Sequence, residues 1–133
     1  MLLQAITIRD QLYGQARRSV DFIKRFIFPG SFIPSVRTIV DSLARVTDMK
    51  LFHMEDIGPH YARTLALWRE RVLARQSEVR AQGYPEGFVR MWEYYLCYCE
   101  GGFEERQLGD VQMLLTKPGS RRASITTVHA AAA

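Results

Sequence analysis

The stretch Leu2-Leu3-Gln4-Ala5-Ile6-Thr7-Ile8 restricts the choice of fold more than any other part of the chain. It is rich in β-forming residues and almost unbroken in apolar character. A strand with one face in water alternates apolar and polar residues, whereas a strand covered on both faces does not. The run therefore predicts a buried strand of a mostly parallel sheet. Such a strand normally pairs on both sides, so a chain that opens inside one is expected to have neighbours beyond itself.

The next apolar repeat is helical. Leu12, Ala16, Val20, Ile23 and Ile27 recur at steps of three and four residues and predict one helix over Gln11–Phe28. On its wheel Arg17, Arg18, Lys24 and Arg25 share an arc bordered by Phe22 and Phe26. That arrangement suits a helix lying on anionic lipid, and equally an ordinary amphipathic surface helix. Pro29-Gly30 and Pro34 mark a turn and an extended stretch. Ser35 is a good N-cap for a helix over Val36–Val46, with Ile39, Val40 and Leu43 facing inward. A strand follows over Met49–Met54, ended by Glu55-Asp56-Ile57-Gly58-Pro59, then a helix over His60–Arg75. Gly83-Tyr84-Pro85 breaks the pattern before a helix over Glu86–Arg106. Val111–Thr116 reads as the last strand, and the Ser/Thr/Ala-rich segment from Lys117 is expected to be disordered. The order β-α-α-β-α-α-β places the chain in the α/β class.

Composition narrows the function. The 133 residues carry 47% hydrophobic side chains and a net charge of +4, without a concentrated basic run. The arginines are not interleaved with stacking aromatics on one face, so nucleic-acid binding is not expected. The only cysteines, Cys97 and Cys99, lie two apart on a helix and point in different directions, which disfavours a disulfide and suits a reducing compartment. The opening residues lack the pattern of a signal peptide, and no stretch reaches the about 20 apolar residues that span a bilayer. His53, His60 and His129 are scattered without metal-ligand spacing, and no metal is expected. No Gly-rich loop follows a strand to cradle a nucleotide.

The aromatic content is more informative. Trp92, Tyr94, Tyr95, Tyr98 and Phe103 crowd one helix, and Tyr95, Cys99 and Phe103, spaced by four, line one face of it. Core packing accounts for each singly. Together they also suit the wall of an apolar pocket for a long acyl chain, free of buried charge. Gly101-Gly102 weakens this helix by about 1 kcal/mol per glycine relative to alanine, which close approach of another group would explain.

Several stretches together resemble the cyclopropane-fatty-acyl-phospholipid synthases: LLQAITI, FIKRFIFPGSFIPSV, EDIGPHYARTLALWRERVLA, RMWEYYLCYCEGGFEER and LGDVQMLLTKPG. The resemblance covers about residues 2 to 118, and its F-I-F-P-G-x-x-x-P-S and H-Y-x-x-T-L-x-x-W runs are specific in this order. It implies the C-terminal portion of a Rossmann-like methyltransferase fold, with about three strands and inserted helices that cover the lipid site. On this basis residues 1–118 form a partial methyltransferase domain and 119–133 a disordered tail. The implied donor is S-adenosylmethionine, whose methyl passes to a cis double bond of a phospholipid acyl chain. A carbocation forms, a bound bicarbonate takes the proton, and the ring closes.

By the same resemblance Tyr61 and the backbone amide of Ile6 contact bicarbonate. Gln4 stands where well-known members have histidine, and its amide can donate but cannot titrate. Tyr95, Cys99 and Phe103 match acyl-channel positions, and Glu55 falls near the site. The family's Gly-rich donor loop, an acidic residue and a cysteine of the bicarbonate site lie upstream of LLQAITI, so these 133 residues are expected to be inactive alone. Three arrangements follow: a fragment of such a synthase or of a methyl-branching sister enzyme, a non-catalytic lipid- or membrane-binding module, or one subunit of a split methyltransferase with a separate N-terminal half. The expected location is cytoplasmic, peripheral to the inner face of the membrane.

Overall fold

Three strands, β1 (Leu2–Ile8), β2 (Lys50–Asp56) and β3 (Leu108–Thr116), form a sheet in the order β1-β3-β2. This computed structural model describes Met1–Ala123. The expected disorder beyond residue 123, together with His129, lies outside the described residues. Lys117–Ala123 contains no helix or strand.

β3 is antiparallel to both of its neighbours. β1 and β2 thus run in the same direction with a reversed strand between them. The expectation that β1 pairs in a parallel ladder is corrected for the described residues. Leu3 and Ile6 are covered on opposite faces, but Leu2 is 67% exposed and only Thr7 of the strand is fully buried, so the expected buried strand is only partly covered. An apolar run reports cover and not strand direction. Leu3 packs with Val111, Met113 and Leu115 on one face, against Val36, Ile39 and Leu43 of α2 (Val36–Val46). Ile6 and Leu108 pack on the other face with Ala62 and Leu65 of α3 (Gly58–Ala74) and Leu96 and Phe103 of α5 (Glu86–Glu104). The chain is a three-layer α/β unit.

The helix over Val36–Val46 forms where the sequence places it. Ser35 is extended and its side chain accepts from the Thr38 amide, which satisfies one of the free donors of the first turn. The helix expected over Gln11–Phe28 does not form as one piece. α1 (Asp10–Arg18) ends at Ser19, and after Val20-Asp21 a π-helical turn occupies Ile23–Ile27. Lys24 explains part of this. Its ammonium donates to the carbonyls of Ala16 and Ser19, so a cation sits at the negative end of α1. Arg17 and Lys24 therefore do not share a helical arc, and Lys24 is a helix cap rather than a free basic group.

A short helix, α4 (Gln76–Ala81), follows α3 across a bend at Arg75 and was not expected from the periodicity. Of the paired glycines in α5, only Gly102 is explained by close approach. A Cβ there would stand 3.1 Å from Leu108 Cδ1, whereas Gly101 faces open space.

The start of α3 is fastened to the sheet by Asp56. Its Oδ1 accepts from the Gly58 amide at 2.8 Å and from the Asp110 amide at 3.2 Å. Gly109 makes room for it: a Cβ would lie 2.9 Å from Asp56 Oδ2 and 3.2 Å from Thr7 Oγ1. Gly109→Ala is expected to displace the doubly bonded carboxylate and lower stability by about 1–3 kcal/mol, as overpacking does. Urea denaturation would measure this, and an unchanged midpoint would contradict the fastening role.

Candidate functional site

The i, i+4 spacing on α5 does what the sequence suggests. Tyr95, Cys99 and Phe103 all join the cluster that α5 and α3 build on the sheet. Phe103 is the buried member, and its ring lies 4.8 Å from that of Tyr61 on α3. Tyr61 in turn meets Trp68 edge-on at 6.4 Å, and Trp92 meets Tyr95 at 5.2 Å. Phe28, just past the π-helical turn, reaches Tyr95 at 6.1 Å. Ile6 completes the wall from the sheet side. Five residues singled out from the sequence (Ile6, Tyr61, Tyr95, Cys99, Phe103) thus occupy one apolar cluster.

The wall is uncharged at neutral pH. Burial pushes the Tyr95 hydroxyl up to about 12, and the neighbouring Cys99 adds to the shift. Burial likewise pushes the Cys99 thiol up to about 11, although its hydrogen bond to Tyr95 opposes this. Both groups favour the protonated form in the fold, so their contribution to stability is complete at neutral pH. It is lost as pH rises from the ordinary values of 9.0 and 10.0 through about 11 and about 12. Cys97 is exposed while Cys99 is half-buried. At pH 8 a thiol reagent is expected to modify Cys97 rapidly and Cys99 only on unfolding. Equal rates in the folded chain would contradict the burial of Cys99.

Gln4 and Ile6 lie on the same sheet face. Met1 and Leu115 exchange both backbone hydrogen bonds, at 2.8 Å each. The alternation of an antiparallel ladder then turns the Ile6 amide away from β3, toward the outer edge of β1. On that same edge the Ile8 amide donates to Pro34 O at 3.0 Å.

The Gln4 side chain is engaged. Its Nε2 donates to Asp110 Oδ2 at 2.8 Å, and its Oε1 accepts from Gln112 Nε2 at 3.3 Å. Sequence reasoning missed Asp110, which is 1% exposed and has one carboxylate oxygen, Oδ1, without a partner. It stands opposite Ile6 on β1, and Gln4 stands opposite Gln112, which in turn faces Glu55 on β2. An amide nitrogen carries two hydrogens, and Asp110 takes one of those on Gln4.

Elsewhere the basic residues separate. Arg17 and Arg18 end α1 in solvent, and the Arg25 guanidinium stands 5.4 Å from the centre of the Phe26 ring. Phe26, Phe28 and Phe32 are exposed. No cluster of metal-binding side chains occurs among the described residues.

This architecture is that of the S-adenosylmethionine-dependent methyltransferase fold. The cyclopropane synthase MmaA2 of Mycobacterium tuberculosis superposes with a TM-score of 0.74 at 28% identity, over 87% of this chain and 43% of that one. The mycolic acid cyclopropane synthase CmaA1, solved with SAH and CTAB, gives 0.73 at 25% identity, over 88% and 44%. The family model described as mycolic acid cyclopropane synthetase matches residues 1–113, and the chain belongs to that family. It is 38% identical over 117 residues to the tuberculostearic acid methyltransferase UfaA1 of Mycobacterium tuberculosis, covering 88% of this chain and 27% of the relative. It is also 38% identical over 96 residues to the cyclopropane-fatty-acyl-phospholipid synthase of Escherichia coli, covering 72% and 24%. The chain thus spans about a quarter of the length of these curated relatives.

Proposed function

We propose that this chain forms the acyl-chain-binding part of an enzyme that adds a methyl or methylene group to the double bond of a phospholipid acyl chain. The observation that carries the reading is the neutral wall of Tyr61, Tyr95, Cys99 and Phe103 against Ile6. A long acyl chain offers no hydrogen bonds, so a site for it must be apolar and free of ionised groups. Here burial moves the Tyr95 phenol and the Cys99 thiol of the α5 face still further from ionisation. S-adenosylmethionine supplies the methyl group when bound. Its principal binding elements are assigned to a preceding half, in the same polypeptide or in a separate subunit. The enzyme works peripherally at the cytoplasmic face of a membrane.

Calorimetry tests the division of labour. The purified chain is expected to show no binding of S-adenosylmethionine and no transfer of labelled methyl to phospholipid. Micromolar binding of the donor by the chain alone would refute the assignment.

A second reading, a lipid-binding module without chemistry, is favoured by the exposed Phe26 with Arg25 over its ring, and by the exposed Phe28, Phe32, Arg17 and Arg18. Aromatic rings with adjacent cations suit an anionic membrane surface. Sedimentation with anionic vesicles separates the two readings: avid binding by the chain alone supports the module.

A further inference from the structure

The acyl-chain cluster is apolar except at one border, and that border holds a buried carboxylate whose role the apolar reading does not use. Asp110 lies between Leu108 and Gln112 on β3, opposite Ile6, and so projects from the sheet face that α3 and α5 cover. Its backbone is fixed twice: its amide donates to Asp56 Oδ1 at 3.2 Å and its carbonyl accepts from the Ile57 amide at 2.7 Å. Oδ2 is held by Gln4, while Oδ1 is buried with no donor. A buried carboxylate oxygen left without a donor carries a desolvation penalty that a cationic partner removes. Among the described residues no arginine or lysine bonds to it: Arg69 of α3 pairs with Glu100 of α5 instead.

We propose that Asp110, held by Gln4, is a resident counter-charge for a cationic centre carried by a long acyl chain in this cluster. The inference rests on the acyl-chain reading above and deepens it. Adding a methyl group to a carbon–carbon double bond leaves a positive carbon inside a site from which water is excluded. A fixed carboxylate beside that centre stabilises it without reorganisation. Gln4, where the resemblance expects histidine, fits this role. A neutral amide can orient a carboxylate without neutralising its charge, whereas a protonated imidazole would compete with the bound cation. The ligand class is a cation on an extended apolar chain.

The purified chain tests this directly. It is titrated below their micelle concentrations with hexadecyltrimethylammonium and with the neutral hexadecyl maltoside, following the fluorescence of Trp68 and Trp92. The cationic amphiphile is expected to bind about tenfold more tightly, against the chain's own net charge of +4. Asp110→Asn keeps the shape and is expected to abolish this preference while leaving the neutral affinity unchanged. Glu55→Gln, on the same sheet face but exposed, is expected to retain it. A wild-type preference of one or less overturns the proposal, as does a preference that survives in folded Asp110→Asn or disappears in Glu55→Gln. Circular dichroism establishes folding, and if Asp110→Asn does not fold, the wild-type ratio and Glu55→Gln decide. If neither amphiphile binds, the acyl-chain reading itself fails and takes the inference with it.

Discussion

Phe103→Ala is expected to lower the unfolding free energy by about 3–5 kcal/mol and to remove binding of neutral long-chain amphiphiles. Phe103 is 3% exposed and sits where α5, α3 and β1 meet. Its ring faces Tyr61 at 4.8 Å, and Ala62, Leu65 and Leu96 complete the surrounding cluster. Truncation leaves a cavity that backbone fastened to the sheet cannot readily close, because Asp56 ties the start of α3 to β3. Domains of this size are stable by only about 5–15 kcal/mol, so the loss is a large fraction of the total. Phe103→Leu restores most of the volume without the aromatic face. It is expected to recover most of the stability and only part of the amphiphile affinity. Urea denaturation with parallel fluorescence titration reads both quantities. A Phe103→Ala midpoint equal to wild type would mean that the α3–α5 layer does not depend on this ring.

Much of this site was legible in the sequence because it is local. Tyr95, Cys99 and Phe103 are related by helical spacing alone, and once the helix forms they must share a face. Ser35 and the Val36–Val46 helix were legible for the same reason, since an N-cap acts within its own first turn. What escaped is set by contacts between distant residues. The direction of β1 relative to its partner is fixed by pairing with β3, and an apolar run is the same in either ladder. The break in α1 is associated with Lys24 folding back onto two carbonyls, and neither Ser19, Val20 nor Asp21 is a strong helix breaker. Asp110 stands just before the strand that the sequence predicts over Val111–Thr116, after Gly109, where an aspartate reads as a turn residue. Pairing with Gln4, 106 positions away, places it on the sheet face that carries the apolar cluster.

The opposite face of the sheet provides the contrast that separates folding from ligand binding. Met113→Ala is expected to cost about 2–5 kcal/mol, close to Phe103→Ala, while leaving amphiphile affinity intact in the molecules that remain folded. Met113 is 0% exposed. It lies on the central strand between Leu3 of β1 and Met54 of β2, with Val111 and Leu115 on the same face. Val36, Ile39 and Leu43 of α2 close over that face, so the cavity would open between sheet and α2, away from Tyr61 and Tyr95. Two substitutions of similar thermodynamic cost then differ in their functional consequence, because β3 sends alternate side chains to opposite faces. Odd-numbered Val111, Met113 and Leu115 hold α2, while even-numbered Leu108 and Asp110 lie on the face that carries Tyr61, Tyr95 and Phe103. Affinity measured at temperatures where each variant is folded, with denaturation curves alongside, resolves the two effects. If Met113→Ala abolished amphiphile binding as fully as Phe103→Ala, the wall could not be confined to the α3–α5 side. The site would then have to be sought through both faces of the sheet.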